Sequence, residues 1–251
     1  MRYRIASLAA AAIAFGGVQM ASAADLPTKA PIATRMTAPY DWSGFYVGGT
    51  VGYEWASVHD VAPGSGFVTD STVRNGIWGG VVGAQIQFGN APWGAWVIGV
   101  EAALSDPMQN NSTGNFGLCG NPAFGCGLRR LDNLTTVGAR LGIAADRWLF
   151  TVSGGWASAR FDRTDVLFAT GAIGTGGGTS DERHNGAYIG GGIEYMIWKG
   201  PFADLIGGID YQHIWLNDRD DLDANGVIHR MKADTDIVRG RLTIKFNPWA
   251  H

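Results

Sequence analysis

Residues 44–56 read Gly44-Phe45-Tyr46-Val47-Gly48-Gly49-Thr50-Val51-Gly52-Tyr53-Glu54-Trp55-Ala56. Phe45, Val47, Gly49, Val51, Tyr53 and Trp55 fall on one side of a period of two; Gly44, Tyr46, Gly48, Thr50, Gly52, Glu54 and Ala56 fall on the other. Side chains alternate across an extended chain, so this is a strand with one apolar face and one face of glycine and polar groups. The C-terminal stretch repeats the pattern, with Val238, Gly240, Leu242, Ile244 and Phe246 alternating with Arg239, Arg241, Thr243 and Lys245. Six further candidates lie between, at about 74–88, 93–104, 132–145, 147–161, 184–198 and 202–215, which brings the count to eight.

The connections decide the class. Three are short turns, at Gly89-Asn90-Ala91-Pro92, around Asp146, and at Lys199-Gly200-Pro201. The other four, roughly 57–73, 105–131, 162–183 and 216–234, are long and rich in Gly, Asn, Asp, Ser and Thr, and are expected to be loops. Barrels of the bacterial outer membrane have an even number of antiparallel strands joined alternately by short periplasmic turns and long extracellular loops. The fold predicted is therefore all-β: an eight-stranded antiparallel transmembrane β-barrel with short periplasmic turns and long extracellular loops.

Glycine tells which face is inside. The chain carries 38 glycines in 251 residues, roughly double ordinary usage, yet without a collagen period. Gly44, Gly48, Gly52, Gly79, Gly83, Gly138, Gly142, Gly190 and Gly192 share the polar face. A water-washed face gains nothing from strand glycine, whereas a narrow lumen crowded with side chains needs positions without a Cβ. The polar face is thus expected inside, the reverse of a soluble lipocalin-like barrel.

Aromatic placement agrees. Trp42, Phe88, Trp148, Trp198 and Phe246 fall at the short-turn ends, and Trp55, Trp78, Trp156 and Trp215 toward the long loops, predicting two interfacial belts. Only 16% of residues are charged, which suits a protein with a lipid-facing band better than a cytosolic enzyme. The formal net charge of −3 supplies no basic field for nucleic acid. Residues 1–23 read as a signal peptide, with Arg2 and Arg4, an apolar run from Ile5 and the Ala21-Ser22-Ala23 cleavage site; an uncleaved anchor helix is the alternative. Residues 24–41 form an extended periplasmic lead-in, 42–246 the barrel, and 247–251 a C-terminal extension.

Trp42-Ser43-Gly44-Phe45-Tyr46-Val47-Gly48-Gly49, after an Ala-Asp-Leu-Pro lead-in, and the closing Val238-Arg239-Gly240-Arg241-Leu242-Thr243-Ile244-Lys245-Phe246 resemble the small outer-membrane immunogenic, porin-like β-barrel proteins of alphaproteobacteria. The resemblance implies localisation in the cell outer membrane and insertion by the barrel assembly machinery, which reads a terminal aromatic. This chain departs from the pattern by continuing past Phe246 with Asn247-Pro248-Trp249-Ala250-His251.

The same alternation places nine charges in the lumen: Glu54, Glu101, Glu194, Asp204 and Asp210 against Arg140, Arg239, Arg241 and Lys245. Mixed signs predict interior ion pairs rather than a selectivity ring, in a barrel too narrow for general diffusion. Of the five histidines only His213 sits inside a predicted strand; it faces lipid between Tyr211 and Trp215 with no serine or acid beside it on that face. No catalytic residues, cofactor or metal are therefore expected. Asp221-Leu222-Asp223-Ala224-Asn225-Gly226 matches half a calcium loop, but Lys232 stands where the bidentate glutamate belongs. Cys119 and Cys126 are the only cysteines, and a close pair in an exported chain predicts a disulfide in the second long loop.

These features predict a surface protein with a structural, envelope-integrity and surface-interaction role, its lumen largely filled. Its expected partners are outer-membrane lipid and lipopolysaccharide, the barrel assembly machinery and an extracellular ligand on the loops. A narrow porin or a haem-type surface receptor is the alternative, and a lipid-modifying enzyme a third.

Overall fold

The computed structural model describes residues 40–62, 67–91, 94–108, 117–119, 121–167, 169, 172–173, 181–222 and 228–246. The signal peptide over 1–23, nearly all of the lead-in over 24–41, and the extension over 247–251 lie outside the described residues.

Among the described residues ten strands follow one another: β1 Gly44–Ala62, β2 Phe67–Ala91, β3 Gly94–Pro107, β4 Gly117–Cys119, β5 Asn121–Ala145, β6 Trp148–Leu167, β7 Ala172–Ile173, β8 Asp181–Lys199, β9 Asp204–Leu222 and β10 Ile228–Phe246. The pairing order is β1, β2, β3, β5, β6, β8, β9, β10, every pair antiparallel, and β10 returns to β1 through Phe45↔Phe246 to Val61↔Arg230. Eight strands thus close on themselves. β4 and β7 are short additions at the long-connection end, paired with β5 and β6.

The register fixes the bore. Gly48 pairs with Val81, and the path continues through Ala103, Thr136, Ala157, Gly186, Leu216 and Ala233. Ala233 pairs with Val58, so one circuit climbs from position 48 to position 58 of β1. Closure of tilted strands requires such a stagger, and eight strands leave an interior just wide enough for side chains.

Burial follows the alternation read from sequence. In β1, Phe45, Val47, Val51, Tyr53 and Trp55 are exposed outward, while Tyr46, Thr50, Glu54, Ala56 and Val58 are buried. From Phe45 to Trp55 the outward apolar run crosses about 25 Å, at ~3.3 Å per residue and the usual tilt, the height of the lipid band on an outer-membrane barrel. Phe88, Trp148, Trp198 and Phe246 face outward toward the short turns; Trp55, Trp78, Trp156 and Trp215 face outward toward the long connections.

Two expectations are corrected. The long connections over 57–73 and 216–234 are largely strand among the described residues: β1 and β2 stay paired up to Ala62↔Phe67, and β9 and β10 up to Leu222↔Ile228. There the outward positions turn polar, as at Ser57, His59 and Lys232, while Val58, Val73, Leu216 and Ala233 stay buried inside, so the apolar-out pattern fades from the sequence while the backbone ladder continues. Trp42 does not join the belt. It is fully buried inside the barrel mouth, because it precedes β1 and is held there by hydrogen bonds rather than by strand alternation.

Candidate functional site

Reading β10 upward from the short turns, the inward residues are Lys245, Thr243, Arg241 and Arg239, then Ile237, Thr235 and Ala233. Charge therefore lies in the lower and middle lumen. An apolar layer that includes Ile77, Leu134, Ile214 and Ile237 closes over it on the hairpin side.

The charged layer is a continuous network. Arg140 reaches Glu101 at 3.0 Å and Glu194 at 2.5 Å. Arg241 reaches Glu101 at 2.7 Å and Glu194 at 3.4 Å. Arg239 grips Asp210 Oδ2 with both Nε, at 3.1 Å, and a terminal nitrogen, at 2.8 Å. Tyr46 donates to Glu101 at 2.6 Å and accepts from Arg140 at 2.8 Å, so the phenol stands between acid and base. Taking these ions out of water costs several kcal/mol each and is offset only while every charge keeps its partners. Glycine makes the room: a Cβ at Gly83 would collide with the Tyr46 phenol, and one at Gly138 with the Tyr188 hydroxyl.

Glu54 is a correction. It faces the lumen but stands apart from the network, opposite Asn75 and Ile237, and its buried Oε1 has no hydrogen-bond partner among the described residues. At its level the wall carries the neutral side chains of Asn75, Ile237 and Gln212, and the bases of β10 sit closer to the short turns. The eight other charges predicted for the lumen all point inward and are paired.

At the short-turn mouth a second layer is built from the segment just before β1. Trp42 takes a hydrogen bond from Gln85 Nε2 on its carbonyl, donates its backbone N–H to Gln87 Oε1, and donates its indole N–H to the Asp146 carbonyl at 3.1 Å. Tyr40 packs edge-on to Trp42 at 5.0 Å and donates to Asp204 at 2.7 Å. Lys245 lies 3.5 Å from Asp204, 4.4 Å from the Tyr40 ring centre, and donates to the Asp41 carbonyl. Burial, then the Asp204 carboxylate, push the Tyr40 phenol above its ordinary range, so it stays protonated as a donor.

This closed strand cycle, apolar wall and charged interior match a known family. The model for the outer membrane protein beta-barrel domain matches residues 8–232. The chain belongs to that family. Its place is the cell outer membrane, so the short turns face the periplasm and the long hairpins the exterior. Among solved structures, the outer-membrane barrel is similar to Ail, the attachment invasion locus protein of Yersinia pestis, at 11% identity and a TM-score of 0.36, covering 80% of this chain and 99% of that one. Neisserial surface protein A gives 13%, 0.33, 81% and 98%. The outer membrane protease OmpT from Escherichia coli gives 9%, 0.39, 81% and 97%. A comparison with curated proteins found no match.

On the outer wall of this outer-membrane barrel the register makes a constellation that reading single strands missed. His213 on β9 pairs with Asp236 on β10. Its Nδ1 lies 2.7 Å from Asp236 Oδ1, which also accepts from Tyr211 at 2.5 Å. Trp215 packs edge-on to the imidazole at 4.5 Å. No signal within β9 reveals Asp236; only the β9–β10 pairing does. The arrangement is an acid–imidazole pair, and among the described residues no hydroxyl or thiol is hydrogen-bonded to the imidazole of His213. The side chains of Cys119 and Cys126 lie outside the described residues, as do residues 223–227 of the calcium-loop-like stretch.

Proposed function

We propose that the protein is a structural barrel of the outer membrane whose lumen is closed to solutes and whose working surfaces are its lipid-facing wall and its outer hairpins. The observation that carries this reading is the buried network of Arg140, Arg239 and Arg241 with Glu101, Glu194 and Asp210, stacked over the Tyr40–Trp42 layer. An interior spanned by paired charges and aromatic rings leaves no single-sign path for an ion. Function then resides outside the lumen, in packing against lipid and lipopolysaccharide and in what the hairpins touch. The reading assigns no catalysis to the chain and no cofactor.

Deleting the gene tests it. The expected result is an outer membrane leaky to hydrophobic dyes and sensitive to detergent, restored by the wild-type gene. A strain with an intact barrier but slowed uptake of a small solute would contradict this reading and favour the narrow-porin alternative.

A further inference from the structure

A groove of about 660 Å³ runs along the lipid-facing wall of β8, β9 and β10. Trp148 and Tyr195 mark its periplasmic end and Tyr211 its outer end, with Gly191, Gly207 and Ile209 between them. Gly191 and Gly207 face outward without side chains, and the Ile197 side chain reaches over Gly207. The groove is open to the membrane and lined chiefly by apolar atoms, as an acyl chain requires.

The outer end of the groove is polar. Tyr211, which lines it, donates to Asp236; Trp55 donates to the same carboxylate, and His213 completes the set. A carboxylate on the lipid side of a barrel wall is unfavourable unless it is hydrogen-bonded, and this one has three donors. Its consequence is to fix the imidazole: with Nδ1 given to Asp236 and the ring held by Trp215, the Nε2 edge is left for a group outside the protein. Exposed Arg74, paired with Trp55, and exposed Lys232, paired with His59, add positive charge over the neighbouring strands.

We infer that this wall is a binding site for a phosphorylated glycolipid of the outer leaflet, with an acyl chain in the groove and a headgroup phosphate on His213 Nε2. The polar end lies at the outer belt, so an outer-leaflet lipid meets it headgroup first. Several basic groups suit a headgroup with more than one phosphate better than a phosphatidylglycerol.

The site rests on the reading of the wall as the working surface. Its test is native mass spectrometry of the refolded barrel with equal amounts of bisphosphorylated lipid A and phosphatidylglycerol. The wild type is expected to retain one lipid A and no phosphatidylglycerol. His213→Ala should lower retention about tenfold, the effect of losing one hydrogen bond to a charged group. Ile209→Trp fills the groove from a lipid-exposed position and should lower it comparably, with heat-modifiable gel mobility unchanged in both variants. Equal retention of the two lipids, or variants that hold lipid A as the wild type does, would overturn the site. If neither lipid is retained while the deletion strain still leaks, the site falls and the proposed function stands.

Discussion

Replacing Trp42 by alanine is expected to destabilise the barrel by about 3–5 kcal/mol, the range for removing a fully buried aromatic side chain. The indole is completely covered and packs with Tyr40, Val97, Leu149, Met196 and Ile206. Its loss would open a cavity at the periplasmic mouth and strip the Asp146 carbonyl of its donor. Tyr40 would lose its edge-on partner, and with it part of what holds the phenol on Asp204. Guanidinium unfolding of barrels refolded into lipid vesicles, followed by gel mobility, reads the loss as a lowered midpoint at unchanged slope. Trp42→Phe separates packing from hydrogen bonding. It keeps most of the ring and gives up only the indole donor, so about 1 kcal/mol is expected. A Trp42→Ala barrel as stable as the wild type would place the indole outside, in the interfacial belt.

Arg140→Met is expected to cost a similar 3–5 kcal/mol, for an electrostatic reason. Arg140 is the base shared by Glu101, Glu194 and the Tyr46 hydroxyl. Methionine fills much of the volume, so the cost comes from two carboxylates left with Arg241 as the one base they share, at 2.7 and 3.4 Å. The double variant Arg140→Met with Glu194→Gln removes one uncompensated charge and should recover part of the stability, giving a coupling energy well outside additivity. If Arg140→Met costs under about 1 kcal/mol, the pairs behave as solvated surface bridges and the lumen is wet.

The sequence carried the barrel because its two governing patterns are local. Alternation of Phe45, Val47 and Val51 with Tyr46, Gly48 and Thr50 needs only one strand, and the short turn at Asp146 needs only a few residues. Glycine on the inward face was legible for the same reason: Gly83 and Gly138 yield space to tyrosine hydroxyls across a bore whose width follows from strand count. The four hairpins were less legible. Above the lipid band nothing enforces a one-sided apolar face, so Ser57, His59, Asp70 and Thr72 read as loop although their backbones remain paired.

What failed required knowledge of neighbours. Glu54 has the alternation of a lumen residue, and the strand pattern does place it inside; only the register shows that Asn75 and Ile237, not a base, stand beside it. Trp42 looked like a belt tryptophan because it precedes the first strand by two residues, yet a side chain outside the ladder is free to turn into the mouth. Asp236 became the partner of His213 only when β9 and β10 were laid side by side.

A barrel whose interior is closed by its own side chains passes no current. Single-channel recording of the refolded protein in planar lipid bilayers tests it most directly. The expected result is insertion, seen as heat-modifiable protein in the membrane, with no discrete current steps. Reproducible steps of one fixed size from the wild-type barrel would contradict it.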